Sequence, residues 1–187
     1  MVGNDIVDIE EAIQASNWQR PRYLNKLFTV KEQLYVHNSL NQFLMVWRLW
    51  SMKEAAYKLY TQLHPSRFYK PKQFECKIDN LKGTVIFQDF KCYVDTKITL
   101  NYIISEARLD EPKMTSDTVK FKNENRNAKS KFLKTELLKS VAKRYKTQAE
   151  ILQVVKNEFG VPTVRFGLKE INISLTYHGN YGAYVIF

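Results

Sequence analysis

The segment from Leu40 to Leu63 constrains the fold more than any other part of this 187-residue chain. It contains neither glycine nor proline, and His64-Pro65-Ser66 follows it directly. Large apolar side chains recur along it at the three- and four-residue intervals that place them on one face of a helix: Phe43, Val46, Trp47, Trp50, Tyr57 and Tyr60. The sequence therefore predicts one long helix with a buried side.

The segments around this helix have the patterns of strands and of a second helix. Gly3 to Ile9 is rich in β-branched residues and predicts a strand, and Leu24 to Asn38 predicts a helix with a capping box from Thr29 to Glu32. Strand-like runs follow at 74–78, 84–87, 91–94 and 99–105, and residues 110–117 have the pattern of a linker. An amphipathic helix from Asn127 to Lys146 then precedes further strands at 151–155, 163–166, 171–176 and 181–187. Both halves run helix first and strands afterwards, which predicts an α+β fold of two lobes, residues 1–111 and 112–187.

The net charge of +10 is concentrated in one stretch of the chain. Residues 112–146 contain eleven lysines and arginines but only three acids, so 11 − 3 leaves +8 there. A focused positive field favours an anionic partner, which could be a nucleic acid, a membrane phosphate, a polyphosphate cofactor or an acidic protein. A solvated basic helix is the alternative.

Other classes of protein are disfavoured by the sequence. No apolar run reaches the roughly 18 residues that a membrane span requires, and the N-terminal residues are acidic where a secretory signal is basic. The two cysteines, Cys76 and Cys92, lie in alternating segments and are predicted to be buried core residues. We therefore expect a cytoplasmic protein without a membrane partner.

Candidate chemistry begins with a charged stripe on the long helix. Trp50, Glu54 and Lys58 are four residues apart, with Lys53 alongside, although Glu–Lys pairs at this spacing also stabilise ordinary surface helices. Asp5 lies in an apolar strand, where an unpaired carboxylate is costly to bury. A magnesium ion shared by Asp5 and Glu54 would satisfy both carboxylates, with the two lysines neutralising phosphate charge.

Three segments of this half resemble the motifs of one enzyme family. Gly3-Asn-Asp5-Ile is similar to the G-x-D-(I/V) motif of the 4'-phosphopantetheinyl transferase superfamily, and Trp50-Ser-Met-Lys53-Glu54-Ala-Ala-Tyr-Lys58 is similar to its W-(S/C/T)-x-K-E-(A/S)-x-x-K motif. Phe28-Thr-Val-Lys-Glu32 resembles the F-(S/T)-x-x-E segment between them.

The C-terminal half resembles the basic-helix lobe of the larger, surfactin-synthetase-activating type of this family. Phe159-Gly-Val161-Pro162 is similar to its (Y/F)-G-K-P motif, and Asn172-Ile-Ser174-Leu-Thr is similar to N-(I/L)-S-H-S. The chain departs from the pattern at Val161, where the family has a lysine. The family histidine falls on Leu175 or Tyr177, with His178 displaced, and Val7 replaces a second acid. These departures leave a role of Asp8 in metal binding open.

The resemblance implies a fold of two pseudo-twofold-related lobes, each with a long helix on an antiparallel sheet, and coenzyme A bound between them. It implies transfer of the 4'-phosphopantetheine group to a serine of an acidic acyl or peptidyl carrier protein, with release of 3',5'-ADP. Asp5 and Glu54 would hold Mg²⁺, and Glu54 and Lys58 would be catalytic. The implied cofactor-binding residues are Trp50, Lys53, Lys129, Lys131, Ser174 and His178.

The order of the motifs gives a further expectation. In the larger family type the basic-helix lobe precedes the G-x-D strand, whereas here it follows, which predicts a circular permutation with the two chain ends close together. A monomer with a complete cleft is then expected; the alternative is a trimer with sites between chains, as in the small holo-acyl-carrier-protein synthases. The alternative functions are a catalytically silent coenzyme A-binding relative and a nucleic-acid-binding domain, which is disfavoured because it leaves Asp5 and Glu54 unexplained.

Overall fold

A computed structural model describes residues 1–66, 68, 70–110, 114–122 and 125–187. The N-terminal lobe runs through β1 (Val2–Asp8), α1 (Ile9–Ala15), α2 (Tyr23–Leu27), α3 (Val30–His37), α4 (Gln42–Leu63), β2 (Glu75–Asp79), β3 (Lys82–Phe87), β4 (Phe90–Ile98) and β5 (Tyr102–Arg108). Its strands form an antiparallel sheet in the order β1-β5-β4-β3-β2. The long helix α4 packs on one face of this sheet and confirms the helix predicted from periodicity.

The C-terminal lobe repeats this topology. It runs through β6 (Thr115–Lys120), α5 (Arg126–Tyr145), β7 (Gln153–Lys156), β8 (Pro162–Phe166), β9 (Lys169–His178) and β10 (Tyr181–Ile186), with the sheet order β6-β10-β9-β8-β7. In both lobes a first strand leads to a long helix and then to a four-strand meander whose last strand returns beside the first. The two-lobed α+β prediction is therefore confirmed, and the shared topology agrees with the expected pseudo-symmetry.

Two details of the predicted boundaries differ from the structure. The linker expected at 110–117 is too long, because β6 begins at Thr115. The predicted lobe boundary between residues 111 and 112 lies outside the described residues. The helix expected from Leu24 to Asn38 is two helices, α2 and α3, because Phe28 is extended at the end of α2 and Thr29 caps the start of α3.

Glu32 joins three elements of the N-terminal lobe. Its Oε2 accepts the Thr29 N–H at 2.7 Å, which completes the predicted capping box. Its Oε1 accepts from Nζ of Lys53 on α4 and from the N–H of Cys76 on β2. Cys76 and Cys92 are both buried, as expected from their alternating segments.

The two lobes meet along β1 and β9. The N–H groups of Asn4, Ile6 and Asp8 face away from β5 and donate to the side chains of Ser174, Thr176 and His178, at 3.0, 3.4 and 3.1 Å. We call this row of three hydrogen bonds the seam. Ile6, Ile104, Tyr181 and Ala183 form a small apolar cluster beside it.

The chain ends lie at the same end of the seam. Nε2 of Gln62 donates both to the Val2 carbonyl and to the Ile173 carbonyl, and Ile173 is the strand partner of Ile186. The start of β1 and the end of β10 are thus brought together, as the permuted order of motifs predicts. One chain supplies both sides of the seam.

Among the described residues, no helix combines the length and the apolar character that crossing a bilayer requires.

Candidate active site

Two neighbouring cavities open between the lobes. The first, which we call the interlobe cavity, has a volume of about 310 Å³ and lies between α4, α5, β9 and the β7–β8 hairpin. The second, the Asp5 cavity, measures about 750 Å³ and is more open. Lys58, Leu175 and Tyr177 line both cavities and so form the boundary between them.

Asp5 is held by charged and polar partners from both lobes. Its side chain is largely buried on β1, and its Oδ1 accepts from Nζ of Lys58 at 2.9 Å and from Oγ1 of Thr176 at 3.0 Å. Lys58 also donates to the Asn4 carbonyl at 2.8 Å. The carboxylate predicted from the strand pattern is therefore ion-paired, in the Asp5 cavity, with the predicted lysine, which lines both cavities.

Glu54 lies one turn before Lys58 on α4 and is partly buried. Burial raises the pKa of the neighbouring Tyr57, and the charge of Glu54 raises it further. Asp5 and Glu54 are carboxylates, the donor type that Mg²⁺ prefers. Asp5 lines the Asp5 cavity, whereas Glu54 lines neither cavity. The described residues contain no group of three or more His, Cys, Asp and Glu side chains suited to a metal ion, so a divalent cation beside Asp5 would also need oxygens of substrate or water.

Lys53 does not face either cavity, contrary to the expectation that it contacts the cofactor. Its side chain is fully buried, and its Nζ donates to Oε1 of Glu32 and to the Phe74 carbonyl, both at 2.6 Å. Lys53 precedes Glu54 on the helix, so its side chain leaves α4 on a different face. Trp50, also expected at the cofactor wall, is partly buried against the apolar clusters of the N-terminal lobe and does not line either cavity.

The lysines of α5 divide between the two cavities and solvent. Lys129 lines the Asp5 cavity, where its Nζ donates to the Gly179 carbonyl at 2.8 Å. Lys134 lines the interlobe cavity together with Ser130, one turn earlier. Lys131 is exposed and lines neither cavity, so the structure does not support its predicted contact with the cofactor.

Strand β9 presents its two faces to different parts of the site. Ser174 lines the interlobe cavity and also accepts the Asn4 N–H, while Leu175 and Tyr177 point between the cavities. His178 lines the Asp5 cavity, and its Nδ1 accepts the Asp8 N–H. In its neutral form this ring therefore carries its proton on Nε2, which makes that nitrogen a hydrogen-bond donor.

Asp8 has a structural role at the seam. Its Oδ1 accepts from the N–H groups of Glu10 and Glu11 and caps α1, and its Oδ2 accepts from the Asn180 N–H at 2.7 Å. Both oxygens are therefore occupied by backbone donors, which does not favour Asp8 as a metal ligand.

Sequence reasoning missed several residues of the site. Thr176 contacts Asp5, and its position two residues after Ser174 on one strand was a signal for it. Arg126 donates from Nε to the Tyr177 hydroxyl at 3.1 Å, Glu11 lines the Asp5 cavity, and Lys156 lines the interlobe cavity. Contacts of this kind, made across separate elements, left no local pattern.

Comparison with known proteins gives one family. The model of the 4'-phosphopantetheinyl transferase superfamily matches residues 1–105, which include β1, α4 and most of β5. No curated protein matches the chain in a sequence comparison.

Proposed function

Because this chain belongs to the 4'-phosphopantetheinyl transferase superfamily, we propose that it moves the 4'-phosphopantetheine group of coenzyme A to a serine of an apo acyl or peptidyl carrier protein. The observation that carries the proposal is the contact of Asp5, in the Asp5 cavity, with Lys58, which lines both that cavity and the interlobe cavity. A carboxylate and an ammonium group meet there beside enough space for a phosphorylated ligand.

The reaction exchanges one phosphate ester for another. The serine oxygen attacks the β-phosphate of coenzyme A, the new O–P bond forms, and the bond to 3',5'-ADP breaks. Such transfer depends mainly on positioning and on neutralisation of charge. Asp5 and Glu54 would hold Mg²⁺, which when bound would neutralise charge on the pyrophosphate.

The chain's own residues divide the remaining tasks. Lys58 places its ammonium group beside Asp5, where it would stabilise the oxygen of the leaving group. Glu54 would accept the proton of the serine hydroxyl, directly or through water. Lys129 and His178 bring further donors to the Asp5 cavity, and Ser174 brings a hydroxyl group to the interlobe cavity.

The expected protein partner is acidic. Arg126 and Lys129 lie at the open Asp5 cavity, on the helix that contributes most to the positive charge of this half of the chain. Opposite charges steer association and fix orientation more than they add affinity. The substrate is thus proposed to be an acidic carrier, either the acyl carrier of fatty acid synthesis, as for holo-acyl-carrier-protein synthases, or a polyketide or peptidyl carrier.

The test is covalent labelling. The protein is incubated with Mg²⁺, fluorescent coenzyme A and a panel of apo carriers, each paired with a variant whose acceptor serine is alanine. We expect label on at least one carrier, none on its alanine variant, and a loss of orders of magnitude in rate for Asp5→Asn and for Glu54→Gln. Near-normal turnover of either variant at saturating Mg²⁺ would rule out the two-carboxylate site.

A catalytically silent relative would give another result. Val161 stands where the family motif has a lysine, and either Leu175 or Tyr177 stands where it has a histidine, so this alternative is tested in the same experiment. Binding of coenzyme A without label on any carrier would support it.

A further inference from the structure

The stripe on α4 that carries Glu54 and Lys58 continues to a glutamine. Gln62 lies one turn after Lys58, is partly buried and lines the interlobe cavity. Its carboxamide makes three hydrogen bonds to backbone groups of strands. Nε2 donates to the Val2 carbonyl at 2.7 Å and to the Ile173 carbonyl at 3.0 Å, and Oε1 accepts the Val2 N–H at 3.1 Å. Val2 begins β1 and Ile173 lies on β9, so one side chain of α4 binds both lobes.

The partners of this carboxamide determine its orientation. Two carbonyl oxygens require the donor end of the side chain, and one N–H group requires the acceptor end. Among side chains of similar length, an ionised glutamate lacks the donors, lysine lacks the acceptor and methionine offers only a weak acceptor. The three contacts at position 62 therefore require an amide.

Gln62 takes the place of a fourth bond of the seam. The three seam bonds join alternate N–H groups of β1 to alternate side chains of β9. Continued by two residues, this spacing would bring the Val2 N–H to Asn172, but Gln62 binds it instead. Lys58 likewise donates from α4 to the Asn4 carbonyl. At this end of the seam, the contact of β1 with the opposite lobe therefore runs through a side chain of α4.

Asp5 depends on the spacing of β1 and β9. It follows Val2 by three residues, and its Oδ1 accepts from Lys58 and from Thr176, which belong to different lobes. Both contacts form together only while the two strands keep their spacing. Thr176 in turn accepts the Ile6 N–H at 3.4 Å, a long and therefore weak hydrogen bond. The seam alone thus holds this spacing weakly beside Asp5.

We propose that Gln62 is a positioning residue for the transfer reaction: its amide holds β1 against β9 at the spacing that lets Asp5 contact both lobes. This inference rests on the proposed function. Gln62 acts through the strand that carries Asp5, not on the reacting groups. Loss of the amide should leave the fold intact, since the apolar clusters of both lobes and the three seam bonds remain. It should loosen Asp5 and slow the transfer.

Hydrogen exchange of the full chain, followed by NMR, tests the contact between the lobes without any transfer. Gln62→Met keeps the length of the side chain and removes the amide. The backbone amide hydrogens of Asn4 and Ile6 should then exchange about tenfold faster, the effect of roughly one net hydrogen bond. The amide hydrogen of Asp8, at the far end of the seam, should change less. Unchanged exchange rates in Gln62→Met would overturn the proposal.

The rate of covalent labelling tests the positioning of the carboxylate. At saturating coenzyme A, Gln62→Met should lower kcat by about tenfold to a hundredfold, the cost of slightly misplaced groups, and leave the KM for the carrier unchanged. Gln62→Glu keeps an acceptor for the Val2 N–H but sets a carboxylate against two carbonyl oxygens, so its loss should be at least as large. A purely structural glutamine would lower stability and leave kcat per folded molecule unchanged, and that result would overturn the proposal.

A double-variant cycle separates positioning from an independent effect on the cavity wall. Thr176→Val removes the hydroxyl group that contacts Asp5 from the opposite lobe. If Gln62 acts through that contact, Gln62→Met should add little to the loss of kcat that Thr176→Val already causes. Losses that multiply in the double variant would place the effect of Gln62 elsewhere and contradict the proposal.

Gln33→Met is the matched control. Gln33 is also partly buried, but its Nε2 donates to the Phe28 carbonyl at 3.2 Å within the N-terminal lobe, and it lines neither cavity. Gln33→Met should leave kcat and the exchange rates of the seam unchanged, and an effect equal to that of Gln62→Met would overturn the proposal. A wild type that labels no carrier would instead contradict the proposed function. The hydrogen-exchange measurement would still test the contact of Gln62, so the two failures are distinguishable.

Discussion

Nζ of Lys53 lies 2.6 Å from Oε1 of Glu32, and both side chains are fully buried. Lys53 Nζ also donates to the Phe74 carbonyl, and Glu32 Oε1 also accepts the Cys76 N–H. The pair therefore ties α3 and α4 to the start of β2. Since Glu54 and Lys58 follow on α4, this buried pair fixes the helix of the candidate site from behind. A lysine of the family motif therefore acts here on the position of the helix.

Breaking this pair should be costly. Glu32→Gln and Lys53→Met each leave a buried charge uncompensated, and we expect each to lower the free energy of unfolding by about 3–5 kcal/mol. The double variant should lose less than the sum, because neither charge then remains. Urea unfolding measures these values. The exposed pair of Arg165 and Glu170 is the control, where Arg165→Met should cost less than about 1 kcal/mol. A similarly small loss in Lys53→Met would contradict the structural role.

Gly3 is required by the close approach of β1 to α4. A Cβ at this position would lie 2.0 Å from the Ala55 carbonyl oxygen and 2.8 Å from the Leu59 nitrogen, both backbone atoms. Gly3→Ala should therefore force β1 away from the helix and lower the free energy of unfolding by about 3 kcal/mol. Gly167→Asn is the matched control, because nothing lies within 4 Å there and asparagine tolerates its φ of +58°. Thermal or urea unfolding measures the stability of both variants. Equal stabilities would contradict the requirement for glycine at position 3 and would show that β1 and α4 can move apart without cost.

The two cysteines should be unreactive in the folded protein. Burial raises the pKa of Cys92 to about 12 and raises that of Cys76 well above its ordinary value. Because the thiolate is the reactive form, neither cysteine should be labelled by a disulfide reagent at pH 8 until the chain unfolds. In concentrated guanidinium chloride both should react. Lys169→Cys provides an exposed thiol that should react at once, and rapid labelling of the wild type would contradict the buried positions.

Glu106 should make stability depend on pH in the direction opposite to most carboxylates. Burial raises its pKa above the ordinary 4.5, and a hydrogen bond with Ser116 opposes the shift. The folded protein therefore binds this proton more tightly than the unfolded chain does. The contribution is complete below pH 4.5 and is lost as the pH rises through the raised value.

Glu106→Gln removes this titration. Relative to the wild type, the variant should gain stability as the pH rises from 4.5 through the raised pKa, and the difference should then level off. Urea unfolding at a series of pH values from about 4 to 8 measures it. A difference that stays constant over the whole range would contradict the shift.

The sequence predicted those parts of the fold whose period is visible along the chain. The helices α4 and α5 and most strands carry such a period, and the motifs around Asp5 and Glu54 lie within them. Strand β6 was missed because it is an edge strand, exposed over most of its length, with few apolar residues. The division into α2 and α3 differs from the prediction of one helix. Thr29 is a recognisable N-cap, and a cap inside a predicted helix marks the start of a second helix.

The site residues were harder to predict than the fold. Helical spacing predicts the face of α4 on which Lys53 lies, but it does not reveal that Glu32, on α3, contacts Lys53 there. For the same reason the sequence does not distinguish Lys131 from Lys134: both are exposed on α5, but only Lys134 lines a cavity. Lys156 lies outside every motif, and its position follows from the pairing of β7 with β8.

The seam sets the alignment of the two lobes in discrete steps. Its donors and acceptors repeat every second residue, and a strand rises about 3.3 Å per residue. If β1 slipped by one residue along β9, the β1 N–H groups of the seam would lie opposite residues whose side chains point to the other face of β9. A slip by two would carry Asp5 about 6.6 Å away from Thr176, beyond the reach of any hydrogen bond. The hydrogen bonds of the seam therefore disfavour small sliding movements between the lobes, and the contact of Asp5 with Thr176 of the opposite lobe is either complete or lost.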